Sequence, residues 1–390
     1  MYTIGDNIIS SLGFSTEENF NAVKSGISGV KHYDAVFFDL PEPFMASLID
    51  KEKLNDEFAR HCGFSRQFGV IGDSDFRQND AYTDLEKAAI LSVFLANKKA
   101  QIDLSSKKTL FILSTTKGNI DRMNNKQVYL WHTAELITGF FGNPNIPPVV
   151  SNACISGAAA QIVAQRELAS NNYDFVVIVG VDFLSKFIIS GFQAFKALSP
   201  KLCRPFDKDR CGLNLGEAAA TLILSNEQLT INNIRFIAGA VRNDATHISA
   251  PSRTGEGSFR ALKHVLQNVD INEIAFVNAH GTATSYNDAM EVNALVRAGL
   301  ESVPVNALKS YFGHTLGAAG VVETIISMWA LNEGMVLKTL GFEETEPLMI
   351  NNEIFTLDVC KENRKTYKKS FIKMMSGFGG VNAALLFTKN

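Results

Sequence analysis

The chain carries an echo of itself. Cys154-Ile155-Ser156-Gly157-Ala158-Ala159-Ala160 is matched by His314-Thr315-Leu316-Gly317-Ala318-Ala319-Gly320, and an apolar helical pattern follows each. Further on, the run opening Gly216-Glu217-Ala218-Ala219-Ala220 is matched by Gly380-Val381-Asn382-Ala383-Ala384, at nearly the same separation. Two matches at nearly one spacing point to a duplicated unit. Such a chain is tightly constrained. Each half sets one reactive residue, Cys154 or His314, at the start of an equivalent helix, and a pseudo-twofold axis brings the two helix starts together. The competing reading is that small residues recur wherever helices pack closely.

The rest of the chain is consistent with two joined α/β halves. At 390 residues, 46% of them hydrophobic, it fills a substantial core. A net charge of −3 gives no global reason to expect nucleic acid or an anionic membrane as partner. The five cysteines, Cys62, Cys154, Cys203, Cys211 and Cys360, form no CxxC pair, which argues against a disulfide framework or a zinc site and fits a reducing compartment. The opening Met1-Tyr2-Thr3-Ile4-Gly5-Asp6 does not read as a signal peptide, and no apolar run reaches membrane-spanning length. A cytoplasmic location is expected.

Strand-like and helix-like segments alternate throughout. Residues 15–25 read as a helix, with Ser15 as N-cap and Glu18 completing a capping box. Helices are also expected over 154–169, 84–97, 288–295 and 316–331. Strands are expected over 109–113, 219–224, 234–241, 274–278, 370–375 and 383–387, with 174–181 β-branched enough to be buried on both faces. The pattern implies an α/β protein.

Four stretches carry chemistry. Cys154 stands at a helix start, where unpaired N–H groups and the macrodipole favour a thiolate; taken alone it reads first as a small buried cysteine at a strand–helix junction. Asn278-Ala279-His280-Gly281-Thr282-Ala283-Thr284 ends a strand in a polar tip, the usual site of catalytic groups, or simply leads into a helix capped by Asn287 or Asp288. In the segment from Asn306 to His314, Lys309 is placed to hold the loop bearing His314, with Glu323 as its charge partner, unless both are ordinary surface groups. Finally, Ser376-Gly377-Phe378-Gly379-Gly380 is a glycine-rich turn whose backbone can approach a ligand closely, as well as a plain turn.

Taken together these segments resemble the β-ketoacyl-ACP synthases. The resemblance rests on Cys154 with Ser156-Gly157-Ala158; on His280-Gly281-Thr282, Thr284, Asn287-Asp288 and Glu291; and on Lys309, Gly313-His314 and Gly317-Ala318-Ala319-Gly320. Gly377-Phe378-Gly379-Gly380 with Asn382, the segment Arg204-Pro205-Phe206-Asp207-Lys208-Asp209-Arg210, and the opening Gly5 to Gly13 extend it along nearly the whole chain. The paired histidines are similar to the elongating Cys-His-His type. The resemblance implies the thiolase fold, a five-layer αβαβα sandwich. An N-terminal half over 1–228 would carry the cap insertions and nucleophile, and a C-terminal half over 229–390 the two histidines.

It further implies a decarboxylative Claisen condensation of an acyl group on Cys154 with malonyl-ACP, in fatty acid or specialised polyketide or polyene biosynthesis. His280 and His314 would stabilise the developing enolate, Lys309 would orient His314 and lower its tendency to protonate, and Glu323 would support Lys309. The N–H groups of Cys154 and Phe378 would hold the oxyanion, Thr282 and Thr284 would bind the phosphopantetheine arm, and Phe378 would gate the acyl pocket. No cofactor or metal is expected. The partner is an acyl carrier protein, for which Arg204, Lys208 and Arg210 are candidate contacts or else structural ion pairs. The assembly is normally a homodimer, with a heterodimer as alternative. Ser376 in place of an aromatic residue, Cys211 in place of an acidic one, Ala218 in place of glycine, and Lys117 near the expected acyl pocket depart from the pattern and hint at a specialised chain. Two further readings are a chain-length-factor-like partner subunit and a degradative thiolase. The intact cysteine and histidines speak against the first, and the lack of a second cysteine in the last glycine turn against the second.

Overall fold

The computed structural model describes residues 1–63, 82–123, 128–229, 234–350 and 353–390. Among them ten strands form one sheet in two matching sets of five. The first set is β1 (Tyr2–Ser10), β2 (Thr109–Ser114), β3 (Val149–Val150), β4 (Phe175–Asp182) and β5 (Ala218–Ser225). The second is β6 (Ile234–Asn243), β7 (Ile274–Asn278), β8 (Val305–Asn306), β9 (Ser370–Gly377) and β10 (Val381–Lys389). The first set runs in space β3-β2-β4-β5-β1, and the second β8-β7-β9-β10-β6. In chain order both are third, second, fourth, fifth, first. The parallel and antiparallel pairings also correspond: β2 lies parallel to β3 and β4 as β7 does to β8 and β9, and the remaining neighbours are antiparallel. A single antiparallel pairing, Tyr2 opposite Arg235, joins the sets. The echo in the sequence is thus a duplicated fold.

Alternation along the strands explains the layers. On β4, Val176 and Ile178 face one apolar core while Val177, Val179 and Val181 face another; on β9, Phe371 and Met375 face the first of these and Ile372 and Met374 a third. The shared core lies between the two sets of strands. It is filled by α3 (Ser156–Ala169) and α6 (Ala319–Asn332), named here with α1 (Thr16–Lys24), α2 (Asp84–Ala100), α4 (Glu256–Val265) and α5 (Ser285–Arg297). Helix α2 covers the outer face of the first set, and α4 and α5 that of the second. The layers therefore run α, β, α, β, α. Helix α1 has the expected capping box between Ser15 and Glu18.

The expected elements are present, some longer, some shorter and some shifted by a few residues. The expected helix over 316–331 begins instead with a 3-10 turn, Leu316–Ala318. That over 288–295 starts earlier, at Ser285 with Thr284 as N-cap. Neither Asn287 nor Asp288 caps it, because the Asp288 carboxylate is drawn inward to the backbone N–H groups of Phe206 and Thr282.

The two central helices cross at their small residues. A Cβ on Gly320 would lie 2.4 Å from Ala158 N and 2.8 Å from Gly157 C, so only glycine allows this approach. Because the helices begin just after Cys154 and His314, their crossing sets the separation of those side chains.

Candidate active site

Cys154 sits on a strained turn between β3 and α3. Ala153, before it, has φ 45°, a left-handed conformation costly for a residue with a Cβ. The turn is tied by Ser156 Oγ, which accepts from Asn152 N–H (2.8 Å) and donates to Ala153 O (2.6 Å). Helix α3 begins only at Ser156, so Cys154 lies in the turn rather than in the helix expected from 154. Across the pocket the backbone N–H of Phe378 favours the thiolate form of Cys154.

His314 is held by its backbone. Its N–H donates to Asn214 O (2.6 Å), and its carbonyl accepts from Gly216 N–H (3.0 Å). Gly313 before it has φ +66°, and a Cβ there would fall 2.2 Å from Leu215 O. The ring Nδ1 accepts from Leu316 N–H (3.3 Å). An accepting Nδ1 puts the proton of the neutral ring on Nε2, and that buried atom has no protein partner.

His280 is positioned by two buried carboxylates of α5. Glu291 accepts from the N–H of His280 and of Gly281, both at 2.7 Å, and Asp288 from Thr282 N–H at 3.0 Å. Burial pushes Glu291 up to about 7, with the neighbouring Asp288 adding to the rise.

These elements bring the three reactive side chains together. The Cys154 sulfur and a ring nitrogen from each histidine lie within 4.8 Å of one another, and all three residues are buried. The imidazoles meet edge to face, centroids 5.1 Å apart. Both histidines are held well below the ordinary imidazole range, first by burial and then by the positive charge of Lys309 and Lys373, so both are neutral at pH 7. Burial pushes the Cys154 thiol up to about 11, although Lys309 and the Phe378 N–H pull the other way. The sequence led us to expect the opposite net direction, because it shows the helix start but not the enclosure.

All three line a cavity of about 420 Å³. Thr282 and Thr284 line it too, their hydroxyls 2.8 Å apart. At its mouth Phe378, 41% exposed, rests against Phe192 and Phe195, two aromatic residues that had not been singled out in the sequence. Ser376 and Cys211 also line it; Ser376 is bonded to Asn382 and Cys211 to Ser199.

The lysine differs most from expectation. Lys309 Nζ donates to the His280 carbonyl (2.6 Å) and to Glu323 (2.8 Å), and so it is placed at His280 rather than at the loop of His314. A second buried lysine, Lys373, reaches the same Glu323 at 2.5 Å. Its signal in the sequence is a lone charge inside the apolar strand Phe371-Ile372-Lys373-Met374-Met375. Arg204, Lys208 and Arg210 do not line the cavity: Arg204 pairs with Asp207, Lys208 with Glu344, and Arg210 bonds Asp207 O and faces Glu346. One sulfur and two imidazoles are also a donor set for zinc. The two ammonium groups packed beneath them weigh against a dication there.

With this geometry in place, likeness to known proteins is decisive. The model of the N-terminal domain of β-ketoacyl synthases matches residues 122–229, and that of the C-terminal domain matches residues 235–343. The chain belongs to the β-ketoacyl synthase family. The synthase is 28% identical to 3-oxoacyl-[acyl-carrier-protein] synthase 2 of Vibrio cholerae, over 99% of this chain and 98% of the relative. It is 27% identical to a putative polyketide β-ketoacyl synthase 1 of Streptomyces halstedii, over 93% and 94% of the two chains. Solved structures agree on the thiolase fold. A β-ketoacyl synthase from Burkholderia phymatum superimposes with a TM-score of 0.83 at 24% identity, covering 100% of this synthase and 99% of that chain. The ishigamide ketosynthase/chain length factor gives 0.84 at 23% identity, covering 100% and 98%. Among the described residues of the synthase no helix is long and apolar enough to cross a membrane, and all five cysteines are free.

Proposed function

We propose that this chain catalyses the decarboxylative Claisen condensation of an acyl group carried on Cys154 with malonyl-ACP, releasing β-ketoacyl-ACP. The observation that carries the reading is the convergence of the Cys154 sulfur with the His280 and His314 rings within 4.8 Å. A thiol held near 11 is a poor nucleophile until a base takes its proton. A neutral imidazole beside it is such a base. The His280 ring is the freer to serve, since its Nδ1 has no protein partner, while His314 is fixed as an Nε2 donor.

Attack on an acyl-carrier thioester yields a tetrahedral oxyanion, for which the N–H groups of Cys154 and Phe378 are the donors at hand. The pantetheine thiol leaves with the proton. A malonyl thioester then enters past Thr282 and Thr284. As it loses CO₂, negative charge builds on the thioester oxygen, and Nε2–H of His314 with the ring of His280 stabilises it without supplying a full proton. The carbanion attacks the acyl carbonyl on Cys154 and expels the thiolate. The thioesters and the lost CO₂ supply the driving force, so no cofactor enters these steps.

Carrier-dependent CO₂ release tests this reading. His280→Ala and His314→Ala should each lower it by about 10²- to 10³-fold, the usual cost of one oxyanion donor. Near-full release from both would remove the imidazoles from the chemistry.

The matched strand sets support a division into an N-terminal half, 1–228, that carries the nucleophile and caps and a C-terminal half, 229–390, that carries the histidines. Free thiols throughout fit a cytoplasmic setting. Among the described residues strand β3 ends the sheet with an unpaired, half-buried edge, which suits pairing with a second copy in a homodimer. Relatives named as a 3-oxoacyl-[acyl-carrier-protein] synthase and as a putative polyketide β-ketoacyl synthase both match, and polar Ser376 on the cavity wall favours a functionalised acyl chain. A second reading, a chain-length-factor-like subunit, draws support from the ishigamide ketosynthase/chain length factor structure. The complete set of Cys154, His280 and His314 weighs against it.

A further inference from the structure

Lys373 is fully buried on β9, and its Nζ reaches Glu323 (2.5 Å), Ala279 O (3.2 Å) and Asn278 O (3.5 Å). Lys309 reaches the same carboxylate and His280 O. Two ammonium groups therefore grip three consecutive carbonyls, Asn278, Ala279 and His280, around one shared Glu323. One carboxylate cannot neutralise two ammonium groups, and surplus buried charge is costly to keep for packing alone. The surplus lies beneath the paired imidazoles. The other charged or titratable groups around those rings are Glu291 and Asp288 from α5, Asp182 at the end of β4, which accepts from Gly317 N–H, and Cys154 before α3.

We infer that Lys373 is a positioning residue for the condensation. It fixes the backbone that aims the His280 ring, and its positive charge adds to burial and to Lys309 in holding His280 and His314 as neutral donors. The inference rests on the proposed condensing activity for its meaning, but its electrostatic part is measured separately.

The test is the pH profile of CO₂ release from malonyl-ACP by Lys373→Met, Lys373→Gln and Lys373→Arg, with the imidazole C2–H titrations of the same proteins by NMR. Removing a positive charge makes an imidazole easier to protonate. The acid limb and both titrations should therefore move up by about one pH unit in the Met and Gln variants. Release at a pH on the acid limb should fall about tenfold, as one such unit implies. Release at pH 7 should change little through protonation because both imidazoles stay neutral there, and Lys373→Arg should restore the limb. Lys373→Gln keeps an amide donor for Glu323 and the carbonyls, so it carries the test if Lys373→Met does not fold. A folded Lys373→Gln with unchanged titrations and limb overturns the inference, as does Lys373→Arg behaving like Lys373→Met. Wild-type protein that releases no CO₂, with titrations that still shift, sinks the proposed function and leaves the electrostatic role standing.

Discussion

At Cys154 two influences oppose each other. The positive charge of Lys309 and the Phe378 N–H favour a thiolate, while burial favours the thiol, and burial wins, leaving the group at about 11. A thiol raised this far is almost wholly protonated at pH 7 and ionises only as the pH climbs past 10. Alkylation of the unliganded protein by iodoacetamide should therefore keep rising through pH 8 to 10, and a plateau reached below pH 8 would show a stabilised thiolate instead. Glu323 is the other residue on which much depends. Replacing it with alanine strands two buried ammonium groups and should cost about 3 to 5 kcal/mol in urea unfolding; a loss under about 1 kcal/mol would mean water already reaches the cluster. The residues at loop tips were legible in the sequence because, taken together, they fall at the spacings of the β-ketoacyl synthases, where each alone had a structural reading. Lys373 was not: its meaning depends on Glu323, fifty positions earlier on another element. The direction of the Cys154 shift was hidden for the same reason, since burial is a property of the fold.

At the level of elements, the active site is as rigid as the crossing of α3 and α6. A methyl group on Gly320 meets backbone, which cannot rotate away, so Gly320→Ala should destabilise the protein by about 1 to 3 kcal/mol and lower turnover by separating Cys154 from His314. Unchanged thermal unfolding and full activity would show that the helices slide apart freely. Periodicity revealed most of the sheet because its central strands are buried on both faces and read as continuous apolar runs. It did not reveal β1, whose sequence Tyr-Thr-Ile-Gly-Asp-Asn-Ile-Ile-Ser breaks any apolar pattern. Asp6 and Asn7 are buried there by contacts made elsewhere: Asp6 faces Lys99 and Trp329, and Asn7 donates to Phe14 O. The start of α5 was misplaced because Asp288, a good capping residue by type, is used to hold the His280 loop.

For the whole molecule, duplication is the property from which the others follow. One unit used twice gives two equivalent helix starts at the centre, and divergence has put a nucleophile on one and an imidazole on the other. Among the described residues it also leaves β3 as an unpaired edge, with the exposed side chain of Ile146 just before it in sequence. Light scattering should give twice the chain mass of 42.7 kDa, and Val150→Asp should halve it; a monomer with full activity would contradict the proposed dimer. The account as a whole is tested most directly by intact-protein mass spectrometry of the chain treated with an acyl-ACP and then with malonyl-ACP. It predicts one acyl adduct, mapped to Cys154, that disappears on addition of malonyl-ACP as a β-ketoacyl-ACP two carbons longer forms. An adduct on another residue, or one on Cys154 that persists without any elongated product, would contradict it.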